Sequence, residues 1–255
     1  MLPLVRLIVA RWTLDAPESV GETAERRNRP VDVIDGNPKR GAVCEECVGG
    51  PGGSGVEEFR AIAPKILYFG TPVVLISTRN EDGSANLAPM SSAWALGYTI
   101  LLGLGAAGKT AENLARTGEC VLNLPPEDLW PAVEKLASLT GKSPVPDYKV
   151  SSAFRYERDK FGAAGLTPLP SDCVAPPRVA ECPLHLEALV RDIRPLHADS
   201  TALVVEVEVV RVHARGDIMH GERHISPTAW RPLIYNFRHY FGLGRELGKS
   251  FRAET

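Results

Sequence analysis

The sequence predicts a mainly β protein, a barrel of antiparallel strands with a few peripheral helices. Three observations carry this. Short runs rich in Val, Ile, Leu and Thr recur between residues 66 and 213, bounded by Gly, Pro, Asn or Asp. One pair of runs is joined by a tight turn, which makes it antiparallel. Helical periodicity is confined to residues 109–117 and 127–139. Short antiparallel strands with so little helix favour a barrel.

Taken in order, residues 73–78 form a β-branched run. Residues 79–83 turn the chain, with Asn80, Asp82 and Gly83 supplying the turn chemistry. Residues 84–89 return, which makes a hairpin, and Pro89 is expected to break its ladder. Residues 99–104 read as a further strand, and residues 109–117 as a short helix ended by Gly118. Residues 120–124 form a strand stopped by Pro125 and Pro126. In residues 127–139, Leu129, Val133, Leu136 and Ala137 fall on one helical face, with Pro131 tolerated near the first turn. Residues 143–177 are rich in Pro and aromatics and read as long loops with short elements. Two clean strands follow. Leu184, Leu186, Ala188 and Val190 share a face in residues 184–191. Val205, Val207 and Val209 oppose Glu206 and Glu208 in residues 203–213.

The chain has 255 residues and a formal net charge of -2, with Lys and Arg spread along it. Neither a nucleic-acid nor a membrane role is expected. The basic patch a polyanion needs is missing, and no apolar run approaches the ~20 residues of a membrane helix. The apolar residues 2–10 are short, interrupted by Arg6, and read as neither signal peptide nor anchor. An odd count of 5 cysteines argues for free thiols and a reducing cytoplasm. Residues 1–55 differ from the rest: charged at 22–29, almost all Gly, Ser and Pro at 49–55, and without lasting periodicity. They are expected to be a poorly ordered extension or a misassigned start, with residues 56–255 as the folded domain. As a hypothesis, the true start is Val56, read from a GTG codon. The N-terminal mass of protein from its native host tests this, and a peptide covering residues 11–26 would sink it.

Two segments could carry chemistry. The loop at 103–108, in the run GLGAAGKT, joins a strand to a helix. Its glycines let a ligand approach the backbone, and the helix start offers unpaired N–H groups and partial positive charge. Lys109 adds a full charge and Thr110 a hydroxyl, which together make a phosphate cradle. The spacing fits neither a P-loop nor a dinucleotide fingerprint. The plainer alternative is a strand–helix turn capped by Thr110, with Asn113 three residues on. The second segment, residues 86–94 (NLAPMSSAW), starts as a strand and then turns polar. Ser91 and Ser92 offer hydroxyls, and Met90 and Trp94 offer apolar faces; the alternative is a surface loop with a core Trp.

Other candidates are weaker. Cys44 and Cys47 form a lone CxxC with no second pair, so no metal site is expected. Cys173 and Cys182 flank a Pro-rich turn and could approach each other, but are expected to stay reduced. The 6 histidines are scattered, and His220-Gly221 reads as a turn rather than a helix presenting a metal pair. Arg178 could reach a phosphate or lie solvated over an aromatic ring. Tyr235, Phe237, Tyr240 and Phe241 read as packing or dimer surface. No serine–histidine–acid order and no paired carboxylates stand out. That suits a site where a bound cofactor carries the chemistry itself.

Two runs, GTPVVLISTRNEDGSANLAPMSSAW and LLGLGAAGKTAENLARTGECVLNLP, give residues 66–244 their resemblance to the flavin-reductase-like family of FMN-binding split β-barrels. VAPPRVAECPLHLEA and WRPLIYNFRHYFGLG add to it. The resemblance implies an FMN-binding split barrel and an NAD(P)H:flavin reductase, with a small-molecule substrate and a homodimer. It implies that Met90, Ser91, Ser92, Ala93 and Trp94 line the flavin ring and ribityl chain, and that Lys109 and Thr110 hold the phosphate. Ala106, Ala107 and Gly108 stand where related sequences often carry a hydroxyl before the lysine, so a loosely held FMN is expected. His224 is a catalytic candidate, because its region can approach the ring in flavin reductases. The other readings are an oxidoreductase of a small organic metabolite and a non-catalytic flavin-binding protein. No motif chooses between NADH and NADPH.

Overall fold

The computed structural model describes residues 59–253. The expectations for residues 1–55, Val56, Cys44 and Cys47 lie outside the described residues. Six strands and a helix come first among the described residues: β1 (Phe69–Pro72), β2 (Val74–Arg79), β3 (Ala85–Met90), β4 (Ala93–Leu96), β5 (Thr99–Gly105), α1 (Lys109–Thr117) and β6 (Glu119–Leu124). Short elements follow: α2 (Trp130–Ala137), β7 (Leu139–Thr140), α3 (Asp147–Val150), β8 (Arg155–Tyr156), α4 (Lys160–Ala164), β9 (Pro168–Leu169) and β10 (Arg178–Val179). Then come the long strands β11 (Leu184–Pro195) and β12 (Ala202–Ala214), and the short β13 (Met219–His220), β14 (His224–Ile225), β15 (Ile234–Asn236) and β16 (His239–Phe241).

The main sheet is seven-stranded, in the order β3-β2-β6-β11-β12-β5-β4, and antiparallel throughout. Its two edge strands, β3 and β4, are consecutive in sequence, with only Ser91 and Ser92 between them. Three residue steps from Met90 to Ala93, at about 3.3 Å each, force the edges together, so the sheet rolls into a barrel. Gly103 makes the joint possible. A Cβ there would lie 2.9 Å from Ser92 Cβ, and the Gly103 N–H donates to the Ser92 carbonyl at 2.7 Å.

Strand alternation divides the apolar residues between two cores. Val74 and Ile76 of β2, Cys120 and Leu122 of β6, Leu102 of β5 and Val205 and Val207 of β12 fill the barrel. Val73, Leu75 and Leu87 point outward and are covered by Val133 and Leu136 of α2 and Phe161 and Ala164 of α4. Pro89 corrects one expectation. It does not break the ladder, because β3 runs on to Met90 with Pro89 opposite Leu75. β3 is an edge strand, so the missing N–H leaves no partner unsatisfied. The other elements fall close to expectation, although β11 and β12 are longer than their sequence patterns and two register shifts interrupt their pairing. Among the described residues no helix is long and apolar enough to cross a membrane.

Candidate functional site

Beside the barrel joint lies a cleft of about 570 Å³. Val73, Pro89, Met90 and Ser91 form its barrel side, and Val133, Glu134 and Ala137 of α2 its helical side. Tyr68, Phe154, Tyr235, Arg238 and Tyr240 complete the wall. Ser91 sits there because the chain must pass from one sheet edge to the other. Its neighbour Ser92 donates its hydroxyl to Tyr68 Oη at 3.4 Å. The aromatic wall is continuous: Tyr68 meets Tyr235 at 5.5 Å and Tyr235 meets Tyr240 at 5.5 Å between ring centroids, and outside the cleft lining Tyr240 meets Trp130 at 6.1 Å. Tyr240 donates its hydroxyl to Glu134 at 2.9 Å. Burial and that carboxylate push the Tyr240 hydroxyl above its ordinary pKa, so it remains a donor. A volume of this size with planar apolar walls and a few polar groups fits a heteroaromatic ligand.

The predicted ring-facing residues separate. Met90 and Ser91 line the cleft. Ala93 is buried in the barrel core, and Trp94 is 57% exposed on β4. Lys109 and Thr110 do not line the cleft; they begin α1. Thr110 accepts a hydrogen bond from the Asn86 amide at 3.1 Å, and Asn86 and Met90 lie on one strand, roughly 13 Å apart at the usual rise. Gly108 caps α1 without a side-chain hydrogen bond, so the first-turn N–H groups stay available to an anion. These features offer an anion site at one end of β3, with the cleft at Met90 and Ser91 at the other. Lys109 is not a bare charge: its Nζ bonds Glu81 at 2.7 Å and Glu112 at 2.6 Å.

A route of contacts connects the two ends. Lys149 lies 5.4 Å from the Phe154 ring in the cleft wall and bonds the Thr140 hydroxyl at 3.2 Å. Gly141, the next residue, packs so closely that a Cβ would lie 2.8 Å from Asn86 Oδ1 and 3.1 Å from Lys109 Cγ. Beneath it, Lys160 is 3% exposed and donates to Asn86 Oδ1 and to the Leu87 carbonyl, each at 3.0 Å. Burial, and less strongly Lys149, lower its pKa to about 8.

The other candidates are absent from the cleft lining. His224 pairs with His220 in the β13–β14 hairpin, is exposed, and is absent from the cleft lining. Arg178 spends two donors on the Pro170 carbonyl at 3.0 and 2.9 Å. Cys173 is exposed, Cys182 is buried, and both are free thiols. Asp172, Glu187 and His213 bring ligand-type atoms within 4.8 Å of one another. Both Glu187 oxygens are already engaged, by the N–H groups of Asp172 at 2.9 Å and Cys173 at 2.6 Å and by His213 Nε2 at 2.6 Å. Burial opposes ionisation of Glu187, yet those partners hold its carboxyl below the ordinary range, as befits an anchor for the loop at 171–175.

The aromatic wall and Arg238 escaped the sequence reading, which took Tyr235 and Tyr240 for packing or dimer surface. Their hairpin turn is Phe237-Arg238, without the Asn-Gly signal that marks such turns. Both residues have positive φ, 44° and 70°. This left-handed backbone costs about 1–2 kcal/mol per non-glycine residue.

Residues 66–244 match the family model described as a flavin reductase like domain. The chain is 52% identical over 197 residues to the uncharacterized protein YdfE of Bacillus subtilis (strain 168), spanning 77% of this chain and 95% of that protein. Flavoredoxin of Desulfovibrio vulgaris (Miyazaki F) superposes with a TM-score of 0.65 at 20% identity, covering 78% of this chain and 100% of that one. Nitrilotriacetate monooxygenase component B from Bacillus cereus gives 0.61 at 19% identity, covering 76% and 100%. At those identities the structural likeness is one of fold.

Proposed function

The chain belongs to the flavin reductase-like family, and from that premise we propose that it is an FMN-dependent NAD(P)H:flavin reductase. Membership makes it a flavin-binding oxidoreductase built on a split barrel. The choice of FMN and of a nicotinamide donor rests on one observation above the others. The cleft presents Met90, Ser91 and a continuous aromatic wall, while an uncapped helix N-terminus lies at the other end of β3.

When bound, FMN supplies an acceptor for the hydride that leaves nicotinamide C4. The chain's part is to bind, orient and exclude water. Met90 and Ser91 would support the flavin ring, and Tyr68, Tyr235 and Tyr240 would enclose the space left for the donor. The first turn of α1 and Lys109 would hold the phosphate, and Thr110 is positioned through Asn86. Glu81 and Glu112 share the Lys109 charge, which favours a loosely held flavin that exchanges as a substrate.

The reading includes a homodimer. β4 is an edge strand, and Trp94, Leu96 and Tyr98 on it and its turn are 57%, 75% and 68% exposed, an apolar surface suited to a second copy. It also includes a reducing cytoplasm, which suits the free thiols Cys120, Cys173 and Cys182.

The test mixes pure protein with FMN and NADH or NADPH and follows nicotinamide absorbance. Rapid loss supports the reductase. Flavin binding without loss points to another substrate or a non-catalytic role, and failure to bind FMN at micromolar concentration overturns the reading. Light scattering on the eluting peak tests the dimer.

A further inference from the structure

One side chain in the cleft has no task in the flavin site. Arg238 is the cation among the residues lining the cleft, and Glu134 is the anion. Glu134 is occupied by the Tyr240 hydroxyl. Among the described residues no carboxylate lies within ion-pair distance of the Arg238 guanidinium. The backbone beneath it is held firmly. Asn236 and His239 close the two-residue hairpin, and the Phe237 N–H donates to the Tyr68 carbonyl at 2.6 Å. Phe237 and Arg238 thus keep a left-handed conformation that Asn and Gly would adopt at lower cost. Strain of this kind, held in place at a cleft wall, points to a task for the strained residue.

An unpaired guanidinium offers a planar fork of donors that matches a phosphate. The reductase reading puts the FMN phosphate at the start of α1, whose residues lie away from the cleft lining. The anion met by Arg238 therefore belongs to the second ligand. We propose that Arg238 binds a phosphate of the nicotinamide dinucleotide and so aligns its ring against the flavin. This rests on the reductase reading above. Arg238 is a positioning residue: it fixes the donor and takes no part in hydride transfer.

The experiment compares hydride donors with and without phosphate at saturating FMN. Arg238→Gln and Arg238→Gly are assayed with NADH, NADPH and 1-benzyl-1,4-dihydronicotinamide, which carries no phosphate. Arg238→Gly relieves the turn, so misfolding through backbone strain does not confound it. The expected result is a KM for the dinucleotides raised about tenfold or more, as loss of a charge-assisted contact requires. Turnover of the phosphate-free donor and the FMN Kd stay unchanged, and Arg238→Lys restores part of the loss. A loss confined to NADPH puts the 2′-phosphate on Arg238, and an equal loss with NADH puts the pyrophosphate there. An unchanged dinucleotide KM, or equal losses with all three donors, overturns the assignment while leaving the reductase standing. If wild-type protein oxidises none of the three, the reductase reading falls and this inference falls with it.

Discussion

The Asn86 amide donates to the Thr110 hydroxyl at 3.1 Å, and this bond ties the cleft strand β3 to the first turn of α1. Asn86 also donates to Thr78 at 3.2 Å and accepts from Lys160 at 3.0 Å, and all four residues are buried. Asn86→Ala would leave the buried Lys160 ammonium and the Thr110 hydroxyl short of partners, while Thr78 keeps the Asn113 amide at 3.0 Å. The expected cost is about 2–4 kcal/mol, since an orphaned buried polar group costs about 1–3 kcal/mol and a charged one more. FMN affinity should fall in parallel, because the phosphate turn loses its brace. Urea denaturation and a flavin fluorescence titration measure the two effects. Wild-type stability in Asn86→Ala would show that the network holds nothing.

Lys109 is shared between Glu81 and Glu112. If its ammonium helps hold the FMN phosphate, the carboxylates compete with the ligand. Glu112→Gln should tighten FMN binding by about twofold to fivefold, matching the 0.2–1 kcal/mol typical of part-exposed ion pairs. Lys109→Met should weaken binding and flatten its salt dependence. Unaltered affinity in both variants would move the phosphate elsewhere.

Lys160 gives the protein a pH signature. Burial lowers its pKa to about 8 from the ordinary 10.5. The folded state therefore binds this proton less tightly than the unfolded chain, and stability from this group rises with pH. Its penalty is full below about 8 and fades as pH approaches 10.5. Urea midpoints between those limits should rise more steeply in wild type than in Lys160→Met. Parallel slopes would show that Lys160 keeps an ordinary pKa when folded.

Glu187 anchors a loop rather than a reaction. It is fully buried on β11 and gathers two backbone N–H groups and His213. Glu187→Ala should cost about 3–5 kcal/mol, as breaking a buried charged contact does. Glu187→Gln should cost less and leave FMN affinity intact. A large fall in FMN affinity at full stability would place Glu187 in the flavin site instead.

Local signals were readable in the sequence and long-range ones were not. The Lys109–Thr117 helix was legible because Gly118 supplies its left-handed cap, at φ 69°. β12 was legible because Val205, Val207 and Val209 alternate with Glu206 and Glu208. Met90 and Ser91 stood out as an apolar face and a hydroxyl just past a strand, and their place in the cleft lining follows from the barrel joint. Trp94 lies outside the cleft lining because a register that buries Ala93 turns its neighbour outward. Lys160 was passed over because lysine is almost never buried unless paired, and its partners come from β3, over seventy residues away. The wall of Tyr235, Arg238 and Tyr240 was hidden for a similar reason. Phe-Arg gives no turn signal, and only the tertiary fold carries this hairpin to the barrel.

That hairpin gives the last prediction. Phe237 occupies the first central position of the turn at φ 44° and is 45% exposed. Asn tolerates this backbone at lower cost, so Phe237→Asn should recover part of the strain, about 1 kcal/mol net of the apolar contact given up. Arg238→Gly should recover a similar amount at φ 70°. The two variants then diverge. Phe237→Asn keeps the guanidinium and should retain the dinucleotide KM, whereas Arg238→Gly should gain stability and lose donor binding. Urea denaturation and steady-state kinetics on the pair separate backbone strain from side-chain recognition. Loss of stability in both would mean that Phe237 and Arg238 hold the hairpin by packing, and the strained turn would then need no functional reason.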